Sequence, residues 1–236
     1  GIVYFIIAAL YLAAAVTTVL VSRPGNVKER DGKSPLEDIA DGMRYVRANP
    51  PIFGLIMLSI VPFLFAMPVN ALLPAFNEDI LGGGPDDLGL LMSAMGGGAI
   101  VGSLTMASMG GLRHKGRWLV ATCVIWGVST VAVGLSETVL LASVMVAAFG
   151  WLSAWNMSLN RGLLQLRVSD RMRGRVMSID MMSHGLMPLG VIPIGFIAER
   201  YDIAIALVCA GLVFVVAIGA LALLSSSVRT VDTGRA

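Results

Sequence analysis

The sequence predicts an all-α membrane protein. Its composition, seven long apolar runs and the lack of any two-residue alternation of polarity carry that prediction. Hydrophobic residues make up 56% of the 236 and charged residues 14%, with a mean hydropathy of +0.82, a balance outside that of a soluble domain. A bilayer core about 30 Å thick takes roughly 20 apolar helical residues to cross, whereas a barrel would show segments of about ten residues with alternating polarity. The runs lie at 2–22, 51–74, 88–111, 118–135, 139–160, 176–198 and 203–224. Seven transmembrane helices are therefore expected.

The connectors orient them, because cytoplasmic loops carry the excess of Lys and Arg. Sixteen of the seventeen Lys and Arg fall in 23–50, 112–117, 161–175 and the tail, and Arg200 is the exception. The intervening connectors are short, and the first of them carries Glu78, Asp79, Asp86 and Asp87. The stretch "RVSDRMRGRVMSID" is on this count a cytoplasmic loop, and the C-terminus is cytoplasmic. Its basic residues are topology signals and not a nucleic-acid face. Residue 1 then falls outside, at the mouth of a span, with no initiator Met and no signal peptide, so the chain is expected to be the later part of a longer protein.

Within 23–50, "SPLEDIADGMRYVRANP" places Ser34 as N-cap, Pro35 at the first helical position and Glu37 three residues after the cap, a capping-box pattern. Leu36, Ile39, Met43 and Val46 recur at helical spacing, with Asp38, Asp41, Arg44 and Arg47 elsewhere on the wheel. An amphipathic helix on the cytoplasmic membrane face, ending before Pro50, is expected. Further on, "MGGGAIVG" sets Gly98 and Gly102 as a small-xxx-small pair for close helix contact. Pro62 and Pro68 in the second span, and Pro188 and Pro193 in the sixth, should kink their helices.

Charged and polar groups inside spans are the best site pointers, since each charged one costs roughly 2.5–3.5 kcal/mol on insertion scales if unpaired. Asp180 and His184 sit at i and i+4 and share a helical face. Counted from residue 176, they lie ~6 Å and ~12 Å inside the cytoplasmic end. One reading makes them a proton-coupling pair, since histidine titrates near physiological pH. The other has Asp180 bonded to Arg161, Arg173 or Arg175, fixing the loop, with His184 hydrogen-bonded across helices. Cys123 and Cys209 fall in different spans and read as small apolar packing residues. No Walker motif, metal-ligand spacing or G-x-S-x-G nucleophile motif occurs. No cofactor and no enzyme activity are called for.

A span, a long basic linker with a surface helix and then six spans resemble helices six to twelve of the major facilitator superfamily, over the whole chain. "NRGLLQLRVSDRMRGRVMS" followed by "GLMPLGVIPIGFIAE" is similar to the bacterial exporter branch of enterobactin and macrolide efflux proteins. One position departs from the family. In "GGLRHKGR", Gly116 and Arg117 match its gate motif, but Arg113 stands where the motif's acid would lie.

The resemblance implies that 1–22 is the last helix of an absent N-terminal half and 23–50 a cytoplasmic linker. It makes 51–227 a six-helix bundle of two inverted three-helix repeats, spans two to four and five to seven, and 228–236 a cytoplasmic tail. It also implies a plasma-membrane secondary transporter, and the coupling reading of Asp180 and His184 makes it a proton-coupled exporter of a small amphiphile such as a siderophore, drug or lysolipid. Its partners would be the bilayer, the substrate and the absent half. Asn70, Trp151, Trp155 and Asn156 would line the cavity, although an aromatic pair at i, i+4 also reads as packing. Arg161, Asp170, Arg171, Arg173 and Arg175 would gate or latch the cytoplasmic mouth. The competing expectation is a non-transporting seven-helix receptor or scaffold.

Overall fold

Backbone groups have no water to bond with inside a bilayer, so an apolar run must satisfy them internally, and helix is the form that does so. The computed structural model describes residues 2–20, 34–109 and 114–224, and every regular element among them is an α-helix. Gly1–Asp38 and Ile39–Ala236 form two compact units.

In the first unit, α1 (Ile2–Leu20) realises the first apolar run. Its described apolar stretch, Tyr4–Leu20, is shorter than the six spans that follow. The start of α2 (Pro35–Ala48) also belongs here. Glu37 N donates to Ser34 Oγ at 3.2 Å and Ser34 N donates to Glu37 Oε2 at 2.9 Å. That reciprocal pair is the capping box the spacing predicts.

The second unit contains six helical stretches long and apolar enough to cross a membrane. They are α3 (Pro50–Phe65) with α4 (Val69–Asp79), α5 (Pro85–Ser108), α6 (Lys115–Gly134), α7 (Val139–Arg167), α8 (Asp170–His184) with α9 (Met187–Arg200), and α10 (Ile203–Leu224). Short connectors return each stretch toward the opposite end, so the described Lys and Arg of this unit gather at one end, with Arg200 at the other.

The helix ends differ from the hydropathy runs where charge enters. The basic segment 161–175 is not a loop: α7 continues to Arg167, α8 begins at Asp170, and only Val168 and Ser169 connect them. Twenty-nine helical residues extend about 44 Å, so α7 outruns a bilayer core and carries its arginines beyond it.

Two of the six stretches are broken, near the prolines. Between α3 and α4, Pro68 has no N–H to return to the Leu64 carbonyl. Tight turns carry the chain across, with Ala66 N and Met67 N both donating to Pro62 O at 2.9 Å. The Leu64 carbonyl instead lies against Gly190 of α9, at the place where a side chain would project. In the second break, Gly185 N donates to Met182 O at 3.0 Å and Leu186 N to Ser183 O at 3.1 Å before Pro188 opens α9.

Glycines set the closest helix pairs. A side chain at Gly98 or Gly102 of α5 would strike the backbone of Ala147 or Trp151 on α7, and one at Gly150 would strike Met95 in return. These helices therefore touch backbone to backbone, the contact expected of a small-xxx-small pair. Trp126 of α6 centres the core, edge-on to Phe149 of α7 at 5.5 Å and to Phe214 of α10 at 5.7 Å.

The face that α2 turns toward α8 is not its apolar stripe. Of the predicted stripe only Val46 is buried, while Leu36, Ile39 and Met43 are 77%, 37% and 37% exposed. Gly42 and Val46 pack inward, with Gly42 against Arg175 and Ile179 of α8, and Arg175 Nη1 lies 3.8 Å from Asp41 Oδ2. A small residue and a charge pair, and not the apolar stripe, dock this helix on α8.

Candidate functional site

Asp180 is 1% exposed, ten residues into α8, so about 15 Å along it and farther from its start than a helix opening at 176 would place it. A carboxylate buried among helices must be hydrogen-bonded or paired. Ser59 Oγ of α3 donates to Asp180 Oδ1 at 2.6 Å, and Arg161 Nε of α7 lies 3.7 Å from Oδ2. Ser183 Oγ donates to the Asp180 carbonyl and lies 3.4 Å from Ser59 Oγ. Three helices meet on this one side chain.

His184 joins through the same arginine and not through the carboxylate. Arg161 Nη2 and His184 Nε2 are 3.1 Å apart, and the imidazole packs on Phe63 with ring centroids 4.1 Å apart. Guanidinium only donates, so Nε2 accepts, and this bond requires the neutral ring with its proton on Nδ1. Arg161 thus spans the predicted pair, bonding one member by charge and the other by a lone pair.

These groups border a narrow cleft with Ser59 and Phe63 on α3, Trp126 on α6, Asn156, Asn160 and Arg161 on α7, and Asp180 and His184 on α8. Asn156 Nδ2 donates to the Leu119 carbonyl, Thr122 Oγ1 and Cys123 Sγ of α6 at 3.0–3.2 Å. Asn160 is 3% exposed and donates to the Leu55 carbonyl at 3.2 Å.

Other predicted residues sit elsewhere. Asn70 bonds Met67 at the α3–α4 break, with Nδ2 donating to its carbonyl at 3.1 Å. Trp151 Nε1 donates to Thr105 Oγ1 of α5 at 3.0 Å, and Trp155 stacks on Trp151 while meeting Trp118 edge to face. None of the three borders this cleft. Arg173 pairs with Asp170 at 2.8 Å near the exposed start of α8, Arg175 reaches Asp41, and Arg171 is exposed on the same turn. Of the three arginines weighed for Asp180, Arg161 is the one in place. Arg113 lies outside the described residues.

Ser59 and Ser183 were missed by sequence reasoning. A serine in a span is ordinary, and nothing in its neighbours marks one as the partner of an acid 121 residues away.

The sequence is similar to macrolide efflux protein A of Streptococcus pyogenes, 21% identical over 84% of this chain and 50% of that protein. It is also similar to the enterobactin exporter of Shigella boydii, 28% identical over 60% of this chain and 34% of that protein. The staphyloferrin A transporter of Staphylococcus aureus is 24% identical over 76% and 46%. The chain spans about half the length of the relatives it matches, or less. The family described as transmembrane secretion effector matches residues 2–235. With its apolar spans and that match over nearly its whole length, this multi-pass membrane chain belongs to the transmembrane secretion effector family of the major facilitator superfamily.

Proposed function

We propose that this chain is the later part of a secondary active transporter that exports a small amphiphile, such as a siderophore, drug or lysolipid, in exchange for protons. Residues 51–227 would be one rocking half, made of inverted repeats α3–α6 and α7–α10. Residues 1–22 would be the last helix of the other half, 23–50 the cytoplasmic linker and 228–236 a cytoplasmic tail. The relatives' names, an efflux protein and an exporter among them, support the direction. The basic end of the bundle is the cytoplasmic one by the distribution of Lys and Arg.

One observation carries the coupling: a buried carboxylate and an imidazole share one arginine. An ionised Asp180 holds Arg161. A proton arriving on Asp180 removes that charge, and the guanidinium keeps His184 as its partner in the cleft. The contacts joining α7 to α8 therefore change with one proton, which suits alternating access. Asp170, Arg171, Arg173 and Arg175 lie beyond this lock, where they order the mouth.

The test uses the whole protein in energised inside-out vesicles with a pH-sensitive dye, adding candidate amphiphiles. Amphiphile-dependent loss of the proton gradient is expected in wild type and not in Asp180→Asn. A wild type silent to every amphiphile would count against proton exchange, and an unchanged response in Asp180→Asn would remove this carboxylate from the coupling.

A further inference from the structure

We infer that the cleft is a hydroxyl-binding subsite, built to take an oxygen that accepts two hydrogen bonds and donates one. Buried polar atoms are rarely left without partners, yet three residues bordering this cleft, from three helices, each carry one. Trp126 Nε1, on a side chain with 0% exposure, has no partner among the described residues, and neither do Asn160 Oδ1 and His184 Nδ1.

Their hydrogen-bonding roles follow from the partners already present. Indole N–H only donates. The Asn160 amide is oriented by the Leu55 carbonyl, which only accepts, so its nitrogen faces Leu55 and its oxygen is the acceptor left over. His184 Nε2 accepts from Arg161, so Nδ1 carries the proton and donates. The residues bordering the cleft thus leave two donors and one acceptor unanswered.

A carboxylate or phosphate would leave the Asn160 oxygen unanswered. An ammonium would leave both N–H groups unanswered, with Arg161 beside it. An ether or ketone oxygen answers the donors but gives nothing to the acceptor. Water and an alcohol or phenol hydroxyl match all three. Two sources of that chemistry exist, an internal water or the hydroxyl of a transported amphiphile. The cargo source rests on the transport reading above, whereas the hydrogen-bond count stands without it.

The test has two arms in the detergent-purified whole protein. The first measures melting temperatures of Trp126→Phe, Asn160→Leu and the double variant with no amphiphile added. An oxygen shared by both side chains makes the double variant lose less than the two single losses together. The second compares the stabilisation given by 4-octylphenol with that given by its methyl ether, 4-octylanisole, in wild type and in Trp126→Phe.

Non-additive losses without preference for the phenol assign the subsite to water. A preference for the phenol that Trp126→Phe abolishes assigns it to cargo. Additive losses with no preference overturn the inference, as does a Trp126→Phe protein more stable than wild type, the sign expected when an unpaired buried donor is removed. None of these readings needs proton exchange, so the subsite and the transport mechanism fail separately.

Discussion

Ser59 Oγ donates to Asp180 Oδ1 at 2.6 Å, joining the first span of the bundle to the helix that carries its buried acid. A hydrogen bond to a charged group contributes about 1.5–3 kcal/mol. Ser59→Ala is therefore expected to lower unfolding stability by about that amount, measured by denaturation in detergent. In an Asp180→Leu background the same substitution should cost much less, because no carboxylate remains to be orphaned. Equal losses in the two backgrounds would mean that Ser59 acts through packing alone.

Arg161 is expected to matter more for what it compensates than for its own burial. Removing one partner of a buried pair costs about 3–5 kcal/mol. That is an upper bound here, because 41% of the Arg161 side chain is exposed and water screens what it reaches. Arg161→Leu should destabilise, and adding Asp180→Asn should recover part of the loss by removing the uncompensated charge. A double variant no more stable than Arg161→Leu would show that the arginine's packing, and not its charge, is what the helices need.

The spans were legible because crossing a bilayer takes a bulk property, roughly twenty apolar residues, that survives ignorance of every contact. Asp180 and His184 were legible for a related reason, since polar groups stand out in such runs. Their bridging was not. Arg161 looks like one of several loop arginines until α7 is seen to run on to Arg167. Helix α2 shows another limit. Periodicity reports which side chains are apolar, but the docking surface on α8 offers Arg175 and Ile179, and the face that fits is the one with Gly42.

That docking predicts a steric test of the linker helix. A Cβ at Gly42 would lie 2.9 Å from Ile179 Cδ1 and 3.3 Å from Arg175 Cβ, the first relieved by a flexible tip and the second not. Gly42→Ala should be tolerated with a small loss. Gly42→Leu should lift α2 off α8, read as faster hydrogen exchange over 39–48 without a matching change in α5. Protection of that segment equal to wild type in Gly42→Leu would mean that the helix is held by other contacts.

The P-L-G of the sixth span has a physical account in the break of the second. Pro68 deprives the Leu64 carbonyl of its helical donor, and Gly190 is where α9 comes up against that oxygen. A side chain at 190 would meet backbone, which cannot swing aside as a side-chain tip does. Gly190→Ala is therefore expected to cost more than Gly195→Ala, five residues along the same helix, where a Cβ meets nothing within 4 Å. The contrast is internal to one helix, so differences in helix propensity cancel. Melting temperatures of the two variants in detergent give the comparison, and Gly190→Ala should show the larger fall. If the two shifts are equal, the breaks in α3–α4 and α8–α9 are not held together at this point, and their geometry is set by the prolines alone.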